Sequence, residues 1–155
     1  MEFHASNDID APRAAVFAAL TDFDMIEGRV SDMGVAITRQ AAEGAALAGM
    51  AWQARFKLRG KARIADITLT EATADETLAF DAKVGGLNTR TDIMLTDAPG
   101  GGTRVAVSSV LDPQTLSARL IVQSLKLARG RLETRFSDSV AKHTSDLAAR
   151  LKNGA

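Results

Sequence analysis

The stretch from Leu116 to Lys152 constrains the fold more than any other part of this chain. Leu125, Ala128, Leu132, Phe136, Val140, His143, Leu147 and Leu151 recur at steps of three or four, so they share one helical face. The spacing predicts a single helix, closed off from the preceding strand by Asp112-Pro113 and capped by Thr115. At 1.5 Å per residue such a helix is about 55 Å long. That exceeds most small sheets, so a kink or break is expected near Gly130, the weakest helix former in the run.

Upstream, the pattern changes from period 3.6 to period 2. Residues 2–9 read as a first strand. Asp10-Ala11-Pro12 then opens a short helix, with Asp10 as cap and Val16, Phe17 and Leu20 as its buried face. Thr21 or Asp22 caps a second short helix over Phe23–Gly28. Six further strands are expected, at Val30–Gln40, Met50–Leu58, Lys61–Thr70, Thr77–Val84, Thr89–Thr96 and Thr103–Leu111. The small-residue run 41–49, Gly60, Ala74-Asp75, Gly85-Gly86 and Pro99 with Gly100–Gly102 separate them. These connections are too short for parallel crossovers, so the strands form an antiparallel meander. Ala62 and Ile64 have the opposite parity to Ala65, Ile67 and Leu69, which predicts a β-bulge near Ala65. No repeat or linker interrupts the chain, and one domain over residues 1–155 is expected.

Composition removes several function classes. Lys plus Arg and Asp plus Glu number 19 each, so no net charge draws the chain to nucleic acid. There is no cysteine, and the two histidines, His4 and His143, stand at opposite ends of the sequence. Disulfides, thiolate metal sites and a conventional zinc site are therefore not expected, and no cofactor is implied. The Met-Glu-Phe-His start lacks the basic and apolar regions of a signal peptide, and no apolar run approaches the roughly 18 residues that cross a bilayer. Both point to a cytoplasmic protein.

Strand, two short helices, six-stranded meander and long terminal helix is the element order of the helix-grip fold. With Ile9-Asp10-Ala11-Pro12, Val16-Phe17 and Leu20-Thr21-Asp22-Phe23, the chain resembles the superfamily of START domains, Bet v 1-like allergens and bacterial polyketide cyclase/dehydratase-like and lipid-transport-like proteins. The resemblance implies an α+β architecture: a curved antiparallel sheet of about seven strands with the long helix across its concave face. It also implies an apolar cavity between the two, entered near the hairpin loops and the N-terminal part of that helix. Strand parity and helical spacing would then draw the lining from Trp52, Phe56, Leu69, Leu78, Phe80, Ile93, Val107, Leu132, Phe136 and His143. The resemblance brings no invariant catalytic motif, so no catalytic residue is assigned.

Single residues are weighed against their ordinary roles. Trp52 reads first as core. His143 could act as a general base, but its only sequence neighbour of use, Asp146, leans toward the polar side; a satisfied structural ring is the simpler reading. Arg55, Lys57, Arg59, Lys61 and Arg63 alternate across the Gly60 turn, which reads as a solvated outer face and leaves open peripheral contact through Arg55, Lys57 and Arg59. Gly100–Gly102 precedes no helix, and Ser108-Ser109 has no nucleophile elbow around it.

Three functions remain. The first is a module that binds or carries an apolar small molecule. The second is a cyclase/dehydratase-like enzyme, for which His143 with Thr91 or Ser109 would be the polar cluster and for which no tyrosine is available as a proton donor. The third is a protein-interaction module using the basic hairpin and the five bases of residues 117–136. Oligomeric state is open at this level.

Overall fold

The computed structural model describes residues 1–40, 47–58 and 60–153. Arg59 and most of the small-residue run 41–49 lie outside the described residues. The chain forms β1 (Glu2–Ile9), α1 (Arg13–Leu20), α2 (Phe23–Asp32), β2 (Ala36–Gln40), β3 (Ala51–Leu58), β4 (Lys61–Thr73), β5 (Thr77–Val84), β6 (Leu87–Asp97), β7 (Thr103–Pro113), α3 (Leu116–Leu127) and α4 (Arg129–Lys152). All seven strands join one antiparallel sheet in the order β1-β7-β6-β5-β4-β3-β2. The meander runs from β2 to β7, and β7 ends beside β1, which forms the far edge. This is the curved open sheet and long C-terminal helix expected from the element order.

Several boundaries differ from the sequence expectation. Pro12, with extended backbone, stands at the N-cap of α1, and among the described residues no side chain caps that helix. Asp22 does cap α2, accepting from the Met25 amide at 3.3 Å. Helix α2 continues through Val30 and Asp32, so the strand expected from Val30 begins only at Ala36. The C-terminal helix breaks at Ala128, whose backbone (φ −109°, ψ 24°) leaves the helical region two residues before Gly130. Thr115 caps α3, its hydroxyl accepting from the Ala118 amide at 3.1 Å.

The bulge falls at Thr70, between the pairs Leu69↔Phe80 and Glu71↔Ala79, and not near Ala65. Strand β4 therefore keeps one phase from Lys61 to Leu69. Ala65, Ile67 and Leu69 turn inward, and Ile64 is left outside, 45% exposed. The bulge brings Ala72 onto the inner face opposite Leu78.

The basic hairpin is also divided. Leu58 pairs with Lys61, so an odd-numbered residue of β3 faces an even-numbered one of β4. Arg55 and Lys57 lie on the outer face beside Ile64 and Ala62, whereas Arg63 shares the inner face with Phe56. Alternation along the sequence thus does not produce one ridge.

The core lies between the sheet's inner face and α1, α2 and α4. Ile9, Val16, Phe17, Phe23, Trp52, Leu69, Leu78, Leu95, Val105 and Leu147 form one buried cluster. Thr103, fully buried, donates to the Ala11 carbonyl at 2.7 Å and ties the start of β7 to the β1–α1 link. At this link Gly102 (φ 82°) runs against the chain; a Cβ there would stand 2.5 Å from the Ile9 carbonyl oxygen. At the other end, a Cβ on Gly86 would run into the Thr115 side chain.

Removing the Leu69 side chain, 0% exposed, is expected to cost about 2–5 kcal/mol of unfolding free energy, read from the denaturant midpoint. A second expectation concerns charge. On the outer face Arg104 grips Asp8 through two hydrogen bonds of 2.9 and 3.2 Å, and this bonding holds the Asp8 carboxyl below the ordinary carboxylate range. A depressed carboxyl pKa stabilises the fold above its unfolded value, and that contribution fades as pH falls through the lower folded value. In Arg104→Gln the Asp8 titration, followed by NMR, should move up toward 3.8.

Candidate functional site

Helices α2 and α4 lie on the inner face and are anchored toward opposite edges of the sheet. Toward one edge Phe23 packs edge-on against Trp52, with ring centroids 4.9 Å apart. The Trp52 indole N–H donates to Glu27 of α2 at 3.3 Å. Arg39, on the inner face of β2 opposite Trp52, donates through Nε to the same Glu27 oxygen at 2.6 Å and through Nη2 to Asp24 at 2.8 Å. Helix α4, in contrast, packs chiefly on β1 and also meets α1. Phe136 stacks at a tilt on Phe3, with centroids 5.6 Å apart.

Between these anchors lies a cavity of about 520 Å³. One wall is the α1–α2 wedge: Ala19, Leu20, Ile26, Val30 and Met33. The floor is Ile93 of β6 with Val105 and Val107 of β7, all facing inward. The opposite wall is the C-terminal half of α4, where Val140, Thr144 and Leu147 face the space. Polar groups gather where the two helical walls approach each other: Arg29 and Asp32 on α2, and Ser139, Lys142, His143, Asp146 and Arg150 on α4. Arg29 and Asp146 bridge the walls at 3.7 Å. The interior surface is thus aliphatic and its edge charged, a combination that suits an apolar body with a polar end.

Of the residues expected to line a cavity, Ile93, Val107 and His143 border this one. Trp52, Leu69 and Leu78 are in the buried cluster, with Phe80 half-buried against it and 6.4 Å from Trp52 between ring centroids. Phe56 is half-buried on β3, and Leu132 and Phe136 are half-buried on α4. The cavity borders α1, α2 and the C-terminal half of α4, not the hairpin end and the N-terminal part of the long helix. Sequence reasoning misses its α2 wall. A signal for that wall exists, however, since Ile26, Val30 and Met33 follow a step of four and then three.

His143 does not fill the stripe position that the spacing gives it. Successive steps from Phe136 through Val140 reach Thr144, which is buried, and His143 is turned to the exposed flank. Thr144 directs its hydroxyl to the Val140 carbonyl at 2.7 Å. The His143 Nδ1 is 2.6 Å from the Ser139 carbonyl, an acceptor, so Nδ1 carries the proton in that bond. Asp146 turns to Arg29. The Thr91 and Ser109 hydroxyls bond to each other at 3.1 Å. His143 and these hydroxyls consequently satisfy separate partners. Among the described residues no three His, Asp or Glu side chains converge as a metal site, and no helix is long and apolar enough to cross a membrane.

Glu27→Ala tests the anchor of α2. It removes the acceptor shared by Trp52 and Arg39, and should lower stability by about 1–3 kcal/mol. Trp52 is the only tryptophan, so its emission spectrum should shift in the same variant.

The sequence profile of a family described as "Polyketide cyclase / dehydrase and lipid transport" matches residues 1–151. A search of curated proteins returns no match. Among solved structures, the chain is similar to TTHA0849 from Thermus thermophilus (TM-score 0.66, 16% identity, 100% of both chains covered). It is also similar to Ara h 8.0201 (TM-score 0.57, 16% identity, 90% of this chain and 98% of that one). A third similar structure is DynU16 of the dynemicin biosynthetic locus (TM-score 0.56, 19% identity, 99% of this chain and 48% of that one). At these identities the likeness establishes the helix-grip fold.

Proposed function

The chain belongs to the polyketide cyclase, dehydrase and lipid-transport family, and on that premise we propose that it binds an apolar small molecule between the α1–α2 wedge, the sheet and α4. The observation that carries this reading is the cavity of about 520 Å³ with Leu, Ile, Val and Met walls. Unfilled aliphatic surface of this kind forgoes dispersion contacts that a ligand would restore. Lipid, isoprenoid and polyketide-like molecules all have the required apolar body. Ile93, Val107 and Val140 are the proposed contacts to that body, with Lys142 and His143 at its polar end. Trp52 supports the site from behind by holding the sheet and α2 together, and Leu69 and Leu78 belong to the same buried cluster.

The same polar groups do not favour turnover as the primary role. General acid–base chemistry needs a base within hydrogen-bond reach of a substrate proton and a partner that orients it. His143 is bonded within its own helix and is exposed, and Thr91 with Ser109 satisfies itself.

Val107→Phe combined with Val140→Phe adds two rings to the cavity, one from its floor and one from its α4 wall. Displacement of a fluorescent fatty acid should weaken by at least about tenfold, since each lost aliphatic contact surface is worth about 1.5–3 kcal/mol. The far-ultraviolet circular dichroism should remain unchanged. Equal affinity in the double variant would place binding elsewhere. Native mass spectrometry of the purified protein should detect a bound apolar mass, which the double variant should lack.

A further inference from the structure

Helix α3 is apolar on two opposite sides. Ala118, Val122 and Leu125, spaced four and three apart, face the protein; Ala118 and Val122 are each 4% exposed. Leu116, Leu120 and Leu127, spaced four and seven apart, follow the opposite line of the helix and point directly away from the body. They are 74%, 61% and 91% exposed, and Ile121 on the flank is 52% exposed. A helix resting on a globular core needs only the first stripe. The outer stripe opposes the rule that places polar residues on the solvent side, and isolated surface leucines do not account for three in line.

The charge on this helix is one-sided. Arg119 and Lys126, seven residues apart, lie on the flank opposite Ile121, and both are exposed. Residues 116–127 contain no Asp or Glu, and neither base is in an ion pair among the described residues. The helix begins at Leu116 after its cap Thr115, beside Gly86 of the β5–β6 turn, where the Gln114 backbone N–H donates to the Gly86 carbonyl at 2.7 Å. The Leu58–Lys61 pair is at the same end of the sheet, and there Leu58 is 54% exposed and Lys61 is exposed.

We propose that α3 is a membrane-docking element that lies in the interface of an anionic lipid bilayer. In that position Leu116, Leu120 and Leu127 enter the acyl boundary, and Arg119 and Lys126 reach lipid phosphates with their aliphatic stems buried. An outward leucine ridge with flanking bases and no acid matches such a surface in both polarity and charge. A second copy of this chain matches it less well. An antiparallel two-fold contact through the ridge brings the Arg119–Lys126 flanks together with no carboxylate on either helix to neutralise them. The apolar cavity is a separate feature, so docking does not depend on the proposed ligand.

Flotation with vesicles tests the proposal. The wild-type chain should float with vesicles of equal phosphatidylcholine and phosphatidylglycerol, and less with phosphatidylcholine alone. Leu120→Glu with Leu127→Glu, at positions that contribute little burial, should reduce flotation by at least about tenfold with an unchanged melting temperature. Arg119→Gln with Lys126→Gln should abolish the preference for phosphatidylglycerol, as should high salt. Wild-type protein that stays unbound with both vesicle types would overturn the proposal, as would equal flotation of the leucine variant. So would a wild-type dimer that Leu120→Glu converts to a monomer without changing flotation, because the ridge would then be a contact between copies.

Discussion

Glu27 is the point at which helix α2 is fastened to the sheet. Its carboxylate accepts from the Trp52 indole on β3 and from the Arg39 guanidinium on β2, two donors on one face from neighbouring strands. Phe23, one turn earlier in α2, meets Trp52 edge-on. These contacts hold α2 toward the β2–β3 edge. Helix α4 is drawn the other way, to β1, where Phe136 meets Phe3. Two walls fixed to opposite edges of a curved sheet cannot meet along their whole length, and the space left over the β6–β7 floor is the cavity. The cavity is thus a consequence of where the helices are anchored.

The polar groups at the cavity's edge follow from the same geometry. Where α2 and α4 come closest, each presents the margin of its apolar stripe, and charged residues occupy that margin. Arg29 and Asp146 join across the gap while both remain partly exposed, so the bridge contributes only modestly to stability. His143 lies on this margin because the helical repeat places Thr144 inward. In the proposed binding role the aliphatic interior would receive the ligand and the charged edge would orient it. An outward leucine ridge on α3 would add a means of reaching membranes, where apolar molecules accumulate.

Much of this architecture was legible in the residues. The meander, its short turns and the two helices after β1 came from periodicity and from Gly, Pro and Asp at the breaks, because these signals are local. Strand β5 was delimited to the residue, as alternation there ends on both sides in turn formers. Errors arose where local patterns are degenerate. Val30 suits a strand or a helix, and only its place beside Ile26 and Met33 in the cavity wall settles the choice. Ile64 broke the parity of β4, yet its apolar side chain stands on the outer face, and the real change of phase comes six residues later at Thr70.

What the sequence determined on its own is the order and kind of elements, since hydrogen-bonding periodicity and turn chemistry act over a few residues. It also determined the absence of cysteine chemistry and of a dominant charge. The tertiary structure alone decided which apolar residues became packed core and which became cavity wall. Trp52, Leu69 and Leu78 have the same polarity and alternation as Ile93 and Val107, but the former belong to the buried cluster and the latter border the gap. That division depends on where α2 and α4 touch the sheet, contacts between residues far apart in the chain to which no local pattern is sensitive.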